Sequence, residues 1–157
     1  MNGKPDTHRT SDVACCRMLT LPRMRHPNGS LTVAENGALG MPFDVRRIFY
    51  LYDVPAGADR GGHSHYAAQE LMVALSGSMK VTLDDGHRRR TFVLDRPDTA
   101  LYIPTGLWRT LHDFSGGSVC MVLTSERFSE ADYVRDYDRF LELTREKTPP
   151  TDEQPTD

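Results

Sequence analysis

Between Met18 and Ser125 the chain is cut into short β-branched or aromatic runs by five turn signals, and that rhythm leaves few folds open. The signals are Pro27-Asn28-Gly29, Pro55-Ala56-Gly57, Asp84-Asp85-Gly86, Pro104-Thr105-Gly106 and Ser115-Gly116-Gly117. Such spacing describes an all-β barrel or sandwich. Strands are expected near 18–21, 30–35, 46–53, 69–75, 78–83, 91–94, 100–103, 107–113 and 118–124. In the fifth of these, Met79, Val81 and Leu83 alternate with Lys80, Thr82 and Asp84, the period of a strand with one wet face. One helix is expected, opening at Ser129 with its hydroxyl capping the Asp132 amide and running to about Glu142. Tyr133, Tyr137, Phe140 and Leu141 fall on one stripe of that helix, to pack on the barrel's outside or on a partner subunit.

The length of 157 residues, with 38% hydrophobic and 26% charged, suits a single domain with a sizeable core, expected over residues 17–143. Residues 1–16 and 144–157 are polar or proline-containing and are expected to be disordered tails. The net charge is −3, and the run His87-Arg88-Arg89-Arg90 reads as a solvated hairpin, so neither nucleic acid nor a membrane surface is an expected partner. Cys15, Cys16 and Cys120 form neither a disulfide framework nor a zinc spacing. With no apolar run near the ~18 residues of a membrane span and no secretory signal pattern, a soluble cytoplasmic protein is expected.

The stretch Gly57-x5-His63-x-His65-x4-Glu70-x6-Gly77 matches the first motif of the cupin superfamily at every defined position, which implies a single-domain jelly-roll barrel with two imidazoles inside it. Metal-binding cupins add a third histidine from a second motif. Here Pro104-Thr105-Gly106-Leu107-Trp108 fits that motif, but Arg109 stands at the histidine position and Asp98 at the opening glycine. A guanidinium stays protonated and has no lone pair for a cation. His112 lies three residues beyond Arg109, on the opposite face of a strand, and is discounted. His63, His65 and Glu70 still compose a facial triad on paper, so three readings stand at this point: a metal site, a structural histidine pair, and acid–base or ligand-binding use, which is favoured. Arg60-Gly61-Gly62 before the pair supports the last, because it sets a cation beside backbone that a ligand can approach.

A more specific likeness rests on Arg47 to Asp53, Arg60 to His65, Gln69, Ser76-Gly77-Ser78, Leu83 to Gly86, Leu101 to Pro104, Trp108, His112 to Ser115 and Ala131 to Tyr137. In these segments the chain resembles the nucleotide-sugar 3,4-ketoisomerases, small cupins that act on dTDP-4-keto-6-deoxyglucose in deoxysugar biosynthesis. The resemblance covers about residues 29–143. It implies a site without metal or other cofactor, a need for both His63 and His65, and a homodimer that exchanges N-terminal strands. Arg60-Gly61-Gly62-His63 is similar also to the dTDP-sugar 3,5-epimerases, where the histidine removes a proton beside the keto group. The chain departs from the ketoisomerase pattern at Tyr66, where lysine is usual, and at His26-Pro27-Asn28-Gly29-Ser30-Leu31, where an arginine is usual in the turn.

Moving a ketone from C4 to C3 requires removal of the acidified C3 proton, an enediol, and proton delivery to C4. Histidine, with an ordinary pKa of about 6.5, serves as base and then acid near neutrality. The expected roles are C–H chemistry for His63 and oxygen protonation or relay for His65. Tyr50 and Gln69 are the expected donors to the enediolate, Arg60 and Arg109 the expected clamps on the diphosphate, and Trp108 a stacking surface. The alternatives are a 3,5-epimerase, a metal-dependent cupin and a sugar-binding cupin without turnover.

Overall fold

The computed structural model describes residues 11–146. Its strands are β1 (Arg17–Thr20), β2 (Arg23–His26), β3 (Gly29–Thr32), β4 (Arg47–Leu51), β5 (Arg60–His65), β6 (Glu70–Ser76), β7 (Met79–Asp84), β8 (Arg89–Leu94), β9 (Thr99–Ile103), β10 (Trp108–His112), β11 (Val119–Thr124) and β12 (Tyr133–Val134), followed by the helix α1 (Tyr137–Arg145). Two five-stranded antiparallel sheets face each other as a jelly roll. One has the order β1-β9-β6-β11-β4 and the other β12-β5-β10-β7-β8, while β2 and β3 form a separate hairpin. No helix among the described residues is long and apolar enough to cross a membrane.

Each of the nine expected strands is present, with ends that differ by a few residues. β2, β5 and β12 are additional. β5 escapes a propensity reading because Arg-Gly-Gly-His-Ser-His contains no β-branched or large apolar residue. It is a strand because its neighbours pair with it: β10 on one side and β12 on the other.

The main core fills the space between the sheets with inward residues such as Met72, Met79, Val81, Leu83, Leu101, Ile103, Leu111 and Val122. The alternation expected for β7 holds at Met79, Val81 and Leu83, which are buried, with Lys80 exposed and Thr82 half-buried; Asp84 departs from it, buried under its bonds from Arg89 and the Tyr137 hydroxyl. A second cluster covers the outer face of the first sheet, where Met41, Phe43 and Val45 lie over Leu71, Val73, Ala100 and Leu123. β6 is therefore buried on both faces from Glu70 to Ala74, which is why its sequence does not alternate. The third cluster seats α1 on the outside of the second sheet through Val134, Phe140 and Leu143, with Trp108, Tyr66 and Tyr137 packed beside them.

The C-terminal region differs from the expected single helix. Ser129 makes no side-chain cap; Glu130–Asp132 is one 3-10 turn, Tyr133–Val134 is a strand, and α1 begins only at Tyr137 with Asp136 as its cap, accepting from the Arg139 amide at 2.8 Å. The edge of β5 wins this segment, because pairing Tyr133 with His65 and Val134 with Ser64 satisfies backbone groups that a helix would leave bare. Tyr137, Phe140 and Leu141 keep their packing role in α1, and Tyr133 leaves the stripe.

The domain also extends past both expected boundaries. Val13 and Cys16 are buried in the main core, and the Val13 amide donates to Asp85 Oδ2 at 3.1 Å. Thr144 is buried and caps back onto the Leu141 carbonyl at 2.7 Å. The remainder of the two expected tails, residues 1–10 and 147–157, lies outside the described residues.

Candidate active site

A cavity of about 450 Å³ opens between the sheets at one end of the barrel. The first sheet contributes Arg47, Phe49 and Leu51 from β4, Glu70 and Met72 from β6, and Val122 from β11. The second contributes Arg60, Gly61 and His63 from β5, Arg109 and Leu111 from β10, and Tyr133 from β12, with Asp59 and Arg135 at the mouth. Phe49, Leu51, Met72, Leu111 and Val122 make an apolar side; four arginines and a histidine make a polar one. That division suits a ligand with an apolar body and an anionic end.

Local backbone fixes His63. The β5–β10 register shifts between Arg109 and Thr110, a bulge that re-aims the strand. Gly61 sits there at φ +87°, and a Cβ on it would stand 2.9 Å from the Arg109 carbonyl oxygen. Gly61 thus permits close approach of two strands, a tighter reason for glycine than the expected room for a ligand. Arg109 lies opposite His63, so both side chains point into the barrel.

His65 sits deeper and is buried. Its Nε2 is 2.9 Å from Glu70 Oε1 and its Nδ1 is 3.0 Å from Asp132 Oδ2, so both ring nitrogens face carboxylates and neither faces the cavity. Asp132 is itself fixed by the Ala67 amide at 2.7 Å and the Ala68 amide at 3.3 Å. Burial alone would raise its pKa, but the hydrogen bonds from His65 and the Ala67 amide hold it below the usual carboxylate value. Glu70 is fully buried, yet Arg109 Nη1 lies 2.6 Å from its Oε2, and that cation with His65 pulls its pKa down to about 2 against the burial effect. The Arg109 Nη1 contact to Glu70 is a close ion pair and the His65 Nε2 contact a close polar one, both without hydrogen-bond alignment. Burial, then the Arg109 charge, then His65 lower the His63 pKa from 6.5 to about 3, so its imidazole is neutral, with a lone pair, at any physiological pH.

The ligand atoms of His63, His65 and Glu70 lie within 4.8 Å of one another, the spread of a metal triad. The donors do not fit one. Both His65 nitrogens face carboxylates, both Glu70 oxygens already have close nitrogen partners, and a cation would stand against the Arg109 guanidinium.

The other expected site residues divide. Arg60 reaches the mouth of the cavity. Arg109 lines it, but as the buried partner of Glu70, so its charge is committed to the floor rather than to a diphosphate. Tyr50 is not brought in: β4 turns Arg47, Phe49 and Leu51 inward, and Tyr50 is exposed on the outer face against Tyr52, ring centroids 5.8 Å apart. Gln69 accepts from the Tyr102 hydroxyl at 2.6 Å, while its amide donates to Ser125 Oγ at 2.8 Å, and it pins strands outside the cavity. Trp108 points away from Arg109 and packs under α1, 5.1 Å from the Tyr137 ring and 5.6 Å from Phe140. His112 faces outward and contacts Thr82 Oγ1 at 2.8 Å.

Arg47, Tyr133 and Arg135 reach the cavity without having been expected there. Arg47 was hidden because both faces of β4 read as apolar. Tyr133 was hidden by its false helical spacing, although the Tyr-Val pair before Arg-Asp carried a weak strand signal. Arg47 Nη2 donates to the Tyr133 hydroxyl at 3.1 Å, and the Arg135 guanidinium lies 4.3 Å from the Tyr133 ring centre. Arg135 is held at the rim by Glu130 at 2.7 Å.

Residues 14–145 match the family model described as FdtA: WxcM-like, C-terminal. The chain is 36% identical over 124 residues to a TDP-4-oxo-6-deoxy-alpha-D-glucose-3,4-oxoisomerase of Aneurinibacillus thermoaerophilus, an alignment that spans 79% of this chain and 88% of that one. The chain belongs to the sugar 3,4-ketoisomerase family. Among solved structures, a 3,4-ketoisomerase from Helicobacter canadensis superposes with a TM-score of 0.80 at 33% identity, covering 83% of this chain and 98% of its own. A 3,4-ketoisomerase from Thermoanaerobacterium thermosaccharolyticum, an asparagine-for-histidine variant in complex with TDP-4-keto-6-deoxyglucose, also superposes at 0.80, with 31% identity and coverage of 84% and 95%. This ketoisomerase is thus an isomerase on the jelly-roll barrel its sequence implied, and its cavity sits where the paired histidines enter the barrel.

Proposed function

We propose that the protein moves the keto group of a TDP-4-keto-6-deoxy sugar, with TDP-4-keto-6-deoxyglucose as the substrate, from C4 to C3 through an enediol. The observation that carries this is His63: a neutral imidazole on the wall of a cavity that also presents Arg47, Arg60 and Arg135. His63 takes the C3 proton, which the C4 carbonyl acidifies, exchanges it with solvent, and delivers a proton to C4. The three arginines are matched to the diphosphate charges, with forked donors for its oxygens. As a diphosphate enters, its negative charge opposes the Arg109 effect on His63 and raises the basicity of the imidazole where it is needed. His65 is assigned a different part from the expected oxygen relay. Clamped between Glu70 and Asp132, it is a positioning residue that fixes the floor under His63 and anchors the turn after β5.

The apolar wall of Phe49, Leu51, Met72, Leu111 and Val122 supports a 6-deoxy sugar, whose C5 methyl needs no polar partner. A homodimer is proposed as well. The β2–β3 hairpin stands apart from both sheets with Met24 and Leu31 exposed, and Ile48 and Tyr50 are exposed on β4, apolar surface that a second copy would cover. β1 pairs with β9 of its own chain, so strand exchange would replace that pairing with the partner's. The free thiols of Cys15, Cys16 and Cys120 are consistent with the proposed cytoplasmic setting. The test of function is His63→Asn. It is expected to abolish conversion of TDP-4-keto-6-deoxyglucose while TDP affinity and melting temperature stay near wild type; unchanged turnover would overturn the assignment.

A further inference from the structure

We propose that the Tyr133 hydroxyl is a catalytic group, carrying the proton between the two sugar oxygens while His63 handles carbon. The inference rests on the ketoisomerase reading above. Isomerisation has two proton transfers at carbon and two at oxygen: O4 must gain a proton as the C3=C4 double bond forms, and O3 must lose one as the new carbonyl appears. His63 serves the carbon transfers. A second group must serve the oxygens, and the cavity wall offers few. The guanidinium groups of Arg47, Arg60, Arg109 and Arg135 do not give up a proton. Glu70 is held ionised by Arg109 and His65, and both nitrogens of His65 are turned to carboxylates. Asp59 is exposed at the mouth. Tyr133 is left.

Its placement fits that task. β12 pairs Tyr133 directly with His65, so its side chain shares a face with His65 and with His63 two residues earlier, while Val134 faces α1. The ring centre lies 4.9 Å from that of His63 and 4.4 Å from that of His65. Arg47 Nη2 donates to the phenol oxygen, so the phenol proton is free to donate elsewhere, and it meets no acceptor among the described residues. The cation also stabilises the oxygen once that proton has gone.

The bonds balance without a co-reactant. His63 removes the C3 proton, the C3–H pair becomes the C3=C4 double bond, and the C4 carbonyl pair moves onto O4, which takes the Tyr133 proton. The phenolate oxygen then takes the proton of O3, the O3–H pair forms the C3 carbonyl, and the double-bond pair takes the proton from His63 at C4. Tyrosine and histidine end as they began.

The experiment is Tyr133→Phe, which keeps the ring against His63 and under Arg135, assayed with TDP-4-keto-6-deoxyglucose in deuterated water by proton NMR. Net formation of the 3-keto sugar is expected to fall about 100-fold or more, as for loss of a general acid–base group. Deuterium entry at C3 should persist, because His63 still forms and quenches the enediolate. TDP affinity should be unchanged. Net conversion near wild type overturns the inference, as does loss of conversion and C3 exchange together. If the Phe variant folds poorly, fluorotyrosine at position 133 keeps the shape and makes the phenol more acidic; it should move the alkaline limb of kcat to lower pH, and an unmoved limb overturns the inference. A wild-type protein inert toward this sugar would instead count against the ketoisomerase reading.

Discussion

Replacing Arg109 with methionine isolates the strongest electrostatic dependence in the barrel. Arg109 and Glu70 are each 1% exposed, their charged atoms are 2.6 Å apart, and they join the two sheets across the interior. Arg109→Met keeps a similar apolar stem but leaves the Glu70 carboxylate buried with only His65 beside it. Breaking a buried pair from one side costs about 3–5 kcal/mol, because the surviving charge keeps its desolvation penalty. The pH dependence gives the cause away. In the wild type, burial pushes the Glu70 pKa up and Arg109 and His65 pull it down to about 2, below its ordinary 4.5. That contribution is present above pH 4.5 and lost as pH falls toward 2. Without Arg109 the burial effect dominates and the folded pKa lies above the unfolded one, so the penalty is full at high pH and fades as pH falls to 4.5. Urea unfolding of wild type, Arg109→Met, Glu70→Gln and the double variant from pH 5 to 8 measures this. The double variant should recover about half or more of the single loss. A penalty below about 1 kcal/mol, or one flat in pH, would refute a charged buried pair.

Three further outcomes follow from the same geometry. Lowering pH from about 6.5 toward 3 should erode stability, since the unfolded chain takes a proton that folded His63 refuses; the slope approaches about 1.4 kcal/mol per pH unit, and His63→Asn should flatten it in chemical denaturation. Gly61→Ala should cost about 2 kcal/mol or more, read as a fall in melting temperature, because φ +87° is strained for alanine and the new methyl meets the Arg109 carbonyl at 2.9 Å. Tyr50→Phe should leave kcat and KM unchanged, as its ring lies on the outer face of β4; a large fall in kcat would mean that Tyr50 reaches the substrate.

The barrel was legible because its strands carry their own signals: β-branched or aromatic runs, alternation in β7, and glycine or proline at the turns. The histidines were legible because their spacing within one strand fixes a common face. What failed was whatever tertiary pairing decides. β5 has a polar, glycine-rich sequence and is a strand only through β10 and β12. Tyr133 shares a helical period with Tyr137 and Phe140 by coincidence, and it was the open edge of β5 that took it into a sheet. Tyr50 and Arg47 occupy opposite faces of β4, and a strand apolar on both sides does not announce which face looks inward. The partners of His65 lie 5 and 67 residues away, so no local pattern foretold that both its nitrogens would be occupied by Glu70 and Asp132.

The most direct measurement is a proton NMR time course of the purified protein with TDP-4-keto-6-deoxyglucose in deuterated water. The account predicts the 3-keto isomer with deuterium at C4, deuterium at C3 of the remaining 4-keto substrate and none at C5 of either, and the C4 coupling constant then names the product's configuration. Deuterium at C3 and C5 without a moved carbonyl would contradict it and describe an epimerase, and a folded protein that exchanges neither position would contradict the assignment of His63 as a base toward this sugar.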